Sequence, residues 1–74
     1  MLFRSYTIVD ATRLVEDHGT IVMFEGVAHC SGDTVLFACE ARSAGLIQRA
    51  IADGETPTVA LPPEFIRRRT PASA

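Results

Sequence analysis

Seventy-four residues, 47% of them apolar and with a net charge of −2, make one small domain and leave nothing for a second. That charge argues against a nucleic-acid binder working through bulk electrostatics, because phosphate neutralisation needs a clustered basic surface. No apolar run approaches the ~20 residues that cross a bilayer, and Met1-Leu2-Phe3-Arg4-Ser5-Tyr6 lacks the basic flank and apolar core of a signal peptide, so a cytoplasmic protein without membrane contact is expected.

The first strand-forming stretch is residues 2–9, where Phe3, Tyr6, Thr7, Ile8 and Val9 all favour extended backbone. Residues 10–17 read two ways. Asp10 can N-cap one helical turn through Leu14, or residues 13–16 form the first arm of a hairpin. The turn signal Asp17-His18-Gly19 favours the hairpin.

Residues 20–28 and 34–40 read as strands around the turn Cys30-Ser31-Gly32-Asp33. Val22, Phe24, Gly26, Ala28 and Cys30 alternate on one arm, and Val35, Phe37 and Cys39 on the other. Only a loop of even length, two or four residues, puts those apolar sets on one face, because a one-residue slip flips every side chain. The opposite face is mixed and carries Ile21, Met23, Glu25, Val27 and Leu36. A two-residue Gly32-Asp33 turn would also set Glu25 opposite Glu40 on that face.

Ser43 is the expected N-cap of a helix of about ten residues that ends at Gly54. Leu46, Ile47, Ala50 and Ile51 share its packing face. Residues 57–61 then form a short strand, which Pro62-Pro63 ends because prolines donate no ladder hydrogen bonds. Phe65 and Ile66 tuck back onto the core. The domain therefore runs from 1 to 66, followed by a flexible Arg-rich tail, 67–74.

The expected architecture is α+β: an antiparallel β-meander of three to four strands, one short helix packed on one face, and a short C-terminal strand.

The chemistry-bearing residues carry less than they first suggest. His18, His29, Cys30 and Cys39 match no metal-ligand spacing, so no metal or cofactor is implied. In the preferred hairpin Cys30 and Cys39 lie roughly 13–20 Å apart along the strands, beyond the ~7 Å that a disulfide spans. Both are expected as reduced, buried thiols. Taken as strand neighbours, His29 and Cys30 point to opposite faces, so they make no nucleophile–base pair. Glu16, Asp17, Glu25 and Glu40 read as a solvated face with local ion pairs. Arg67-Arg68-Arg69 is the one charge run. Without an aromatic platform it does not favour nucleic acid, and it reads as a solvated tail or as a contact for an acidic partner. None of these sets makes a catalytic site.

The stretch from Gly19 through Val27, the turn Ser31-Gly32-Asp33, the segment Phe37-Ala38-Cys39 and the later Leu46 together resemble the YrdB-like family of short bacterial domains of unknown function. Pro57-Thr58-Val59-Ala60-Leu61 with Glu64-Phe65 resembles that family's closing strand, so the likeness covers about residues 6 to 66. It implies a small α+β fold and a bacterial origin, and transfers no activity or site residue.

A chain this short buries only about 60% of its unfolded surface, and self-association is the simplest supplement to a thin core. The expectation is a non-enzymatic accessory or protein-interaction module, a homodimer, which uses the mixed face of Ile21, Met23, Glu25, Val27 and Leu36 or an edge strand. The alternative is a regulatory module that docks an acidic partner or nucleic acid through Arg67, Arg68 and Arg69.

Overall fold

The computed structural model describes residues 5–68. Its elements follow in the order β1 (Thr7–Asp17), β2 (Ile21–Ala28), β3 (Thr34–Glu40), α1 (Ala41–Ala52), β4 (Thr58–Leu61), a 3-10 turn (Pro63–Phe65) and β5 (Ile66–Arg68). The α+β class is as expected, but the sheet has five strands instead of three to four, in the order β4-β1-β2-β3-β5. All neighbouring pairs are antiparallel.

The extra strand comes from residues assigned to the tail. Arg67 and Arg68 pair with Leu36 and Val35, so they are not part of a free tail. Arg69 and the rest of the expected tail lie outside the described residues. Pro62-Pro63 ends β4 without ending the sheet. The 3-10 turn after Pro62 hands the chain from the edge beside β1 to the edge beside β3. Flat, such a sheet would hold its edges ~19 Å apart. Residues 62–65, which rise only ~2 Å each through the turn, do not reach that far, so the sheet is curled.

One continuous strand, β1, replaces both readings of residues 10–17. Register shifts between Ala11 and Arg13 and between Leu14 and Glu16 insert a bulge at each place. Each bulge resets which side chains face inward, which is why no alternation ran through the segment. The β2–β3 register is the even one: Val22 pairs with Cys39, Phe24 with Phe37 and Gly26 with Val35. The Ala28 amide donates to the Asp33 carbonyl at 2.9 Å, leaving residues 29–32 as the loop. This register separates Glu25, opposite Leu36, from Glu40, opposite Ile21; the two carboxylates do not meet.

The apolar sets close over one core of Val9, Ala11, Val22, Phe24, Ala28, Val35 and Phe37, with Ala44 and Ile47 of α1 docked onto it. The helix starts at Ala41 with Glu40 at its N-cap, three residues before the turn that Ser43 would have capped. The Ala41 amide is already held by the Thr20 carbonyl, at 3.1 Å, so β3 runs straight into α1. Gly54, at φ 84°, ends the helix as expected. Ala44 and Ile47 set the buried stripe, and this turns Leu46 outward, 73% exposed, although the sequence placed it on the packing face.

Candidate interaction face and edge groove

The uncovered face of the sheet follows from the register. One row across it reads Arg13, Glu25, Leu36 and Arg67, from β1 to β5. The next reads Glu16, Met23 and Ala38. Ile21 stands beside Glu40, and Val27 lies between Asp10 and Thr34. The five face residues named from the sequence therefore do share one surface: Ile21 and Val27 are exposed, and Met23, Glu25 and Leu36 are half-buried.

That surface is less apolar than its β2 and β3 residues alone suggest. Arg13 Nε reaches Glu25 Oε1 at 2.9 Å, and the Thr12 hydroxyl donates to the Glu25 carbonyl at 3.0 Å. A second polar knot lies at the β1–β4 seam. Asp10 Oδ1 accepts the Thr58 hydroxyl at 2.6 Å and lies 2.9 Å from His29 Nε2. The Thr58 hydrogen bond, followed by that of His29, holds the Asp10 carboxyl below its ordinary pKa. These polar knots separate Val27 from the apolar group of Ile21, Met23, Leu36 and Ala38.

His29 and Cys30 sit in the β2–β3 turn and not on the strand. Cys30 is exposed rather than buried, Cys39 is half-buried, and both are free thiols. Burial pushes the Cys39 thiol above its ordinary pKa, away from the thiolate form that reacts. His18 pairs with Glu16 at 2.8 Å on the exposed β1–β2 turn. Among the described residues no three His, Cys, Asp or Glu side chains gather as a metal site, and no helix is long and apolar enough to cross a membrane. Arg68 faces Asp33 at 3.3 Å. Arg67 shares a shallow hollow of about 400 Å³ with Glu16 and Glu64.

The feature that the sequence did not single out is a groove along β4. Near Pro57, Thr58 and Val59 it forms a hollow of about 320 Å³ against Ser43, Leu46 and Ile47 of α1. Near Leu61 and Pro62 it opens into one of about 420 Å³, bounded by Ile21, Cys39 and Phe65 and again by Ser43. Ser43 thus joins the two hollows. Three exposed large apolar side chains border this one trough: Leu46 at 73%, Phe65 at 50% and Ile21 at 41%. Phe65 was expected to tuck onto the core, but the 3-10 turn carries it onto the rim. The only trace of the groove in the sequence is the pair of prolines, Pro57 and Pro62, that brackets β4. Comparison with family models, with curated proteins and with solved structures gives no match.

Proposed function

We propose that this chain is a non-enzymatic, cytoplasmic protein-interaction module that self-associates as a homodimer. The exposure of Leu46, Phe65 and Ile21 around one groove carries the reading. A domain this small has few large apolar side chains to spare, and a cluster of them in the open marks a surface that another protein covers. The polar groups support the non-enzymatic part of the proposal. Asp10 holds Thr58 of β4 and His29 of the β2–β3 turn, a bracing role, and among the described residues the histidines pair with the carboxylates of Glu16 and Asp10 and not with a thiol or hydroxyl. The resemblance to YrdB-like proteins adds a bacterial origin to the proposal and no activity. Sedimentation equilibrium across the micromolar range tests it. The expected result is a reversible monomer–dimer equilibrium, and a strictly monomeric chain would overturn it.

Docking through Arg67, Arg68 and Arg69 is the weaker reading, because Arg67 and Arg68 already have Glu16, Glu64 and Asp33 as neighbours. Retention on a polyanion resin that disappears when residues 67–74 are deleted would favour it.

A further inference from the structure

The self-association proposed above needs a surface, and the free edge of β4 has the features of one. Among the described residues β4 ends the sheet, with β1 as its only partner. The Ala11 amide donates to the Pro57 carbonyl at 2.8 Å, and Val9 and Thr7 pair with Val59 and Leu61. In an antiparallel ladder the bonded residues alternate. The backbone groups of residues 57, 59 and 61 therefore point at β1, and the N–H and C=O of Thr58 and Ala60 point away from it, along the edge. Such a row is a template for another strand. Pro62 has no N–H and stops any ladder there.

Resting on the self-association reading, we infer that two copies pair their β4 strands antiparallel about a two-fold axis through Val59. Thr58 of each copy then exchanges both backbone bonds with Ala60 of the other, and every free group of the edge is satisfied. Val59 meets Val59 of the second copy. Leu46, which lines the groove beside Val59, covers that contact from both sides, which accounts for the most exposed large apolar side chain of the described chain.

The ends of the edge are complementary in charge. Exposed Glu55 precedes the N-terminal end of β4. Arg42, its side chain 88% exposed, borders the groove at the Leu61–Pro62 end. Antiparallel pairing brings each Glu55 towards the Arg42 end of the other copy. A foreign extended peptide would meet the same backbone groups, but it would bring neither a second Leu46 nor matched ends. An isologous pairing of this kind closes on itself and does not propagate into fibres.

The test is sedimentation equilibrium on the full chain with four variants, each checked for folding by circular dichroism. Ala60→Pro removes an edge N–H that the monomer does not use, and Leu46→Glu places a charge at the seam without touching the core. Each is expected to weaken the dimer by about tenfold or more. Met23→Glu and Val27→Glu, on the uncovered face, are expected to leave its dissociation constant unchanged. Hydrogen exchange gives a second readout. The Thr58 and Ala60 amides should be protected at high protein concentration and lose protection on dilution, whereas those of Val59 and Leu61 stay protected throughout. A dimer that Met23→Glu dissociates and Ala60→Pro does not would overturn the edge pairing while leaving self-association intact. A monomeric wild type would overturn both.

Discussion

Phe24 and Phe37 face each other across the β2–β3 ladder as register partners, their ring centroids 5.6 Å apart and their planes 20° from parallel. Both are fully buried and are the two largest side chains buried so completely among the described residues. Phe37→Ala would remove one ring and leave a cavity, at a cost of about 3–5 kcal/mol. A domain of this size has only about 4–11 kcal/mol in total. The variant should therefore lose most of its cooperative urea transition at room temperature. A sharp transition near the wild-type midpoint would mean that the core tolerates the loss.

Gly26 is needed for lack of space. A Cβ there would lie 2.5 Å from the Asp10 carbonyl oxygen and 2.7 Å from Val9 Cγ1. The oxygen is backbone in the neighbouring strand, so it cannot move without opening the β1–β2 ladder. Gly26→Ala should cost about 1–3 kcal/mol through overpacking, seen as a lower urea midpoint.

Gly45 is the opposite case. It lies within α1, where a Cβ would meet nothing within 4 Å. Gly45→Ala should stabilise the chain by about 0.5–1 kcal/mol, because alanine loses less backbone freedom on entering a helix. A raised melting temperature is the expected result, and no change or a fall would count against an open site.

These positions show what the sequence reveals and what it hides. The Phe24–Phe37 pairing was legible because two apolar alternations admit only one parity of loop. The outward Leu46 was not. Its neighbours permit a packing face on either side, and the choice fell to the Ala41–Thr20 bond that fixes where α1 begins. The uncovered face was legible as a set of residues, because strand alternation defines it. Its Arg13–Glu25 and Asp10–Thr58 contacts depend on bulges and on a β4 partner 48 positions away in sequence, which no local pattern encodes. The β4 groove was hidden for the same reason, since it exists only where the curled sheet leaves β4 beside α1.

The two cysteines should react at different rates. Cys30 is exposed in the β2–β3 turn, whereas Cys39 is half-buried with its thiol pKa raised by burial. A thiol reagent at neutral pH should label Cys30 first and Cys39 only slowly, because thiolate and access are both needed. Cys30→Ser should abolish the fast phase. Equal rates in the wild type would mean that the β3–α1 junction opens readily.

Asp10 makes stability depend on acid. The Thr58 hydroxyl, and after it His29, keep its folded pKa below the ordinary value. The unfolded chain then takes up the proton more readily than the folded one. The stabilisation is fully present above the unfolded value of about 4 and is lost as pH falls through the depressed folded value. Thr58→Val removes the larger cause and should lower the melting temperature at pH 7. On acidification the gap between variant and wild type should narrow, because a protonated Asp10 gains less from the hydroxyl. A gap of constant size from pH 7 to pH 3 would show that Thr58 acts by packing alone and that the ionised carboxylate is not what ties β4 to β1.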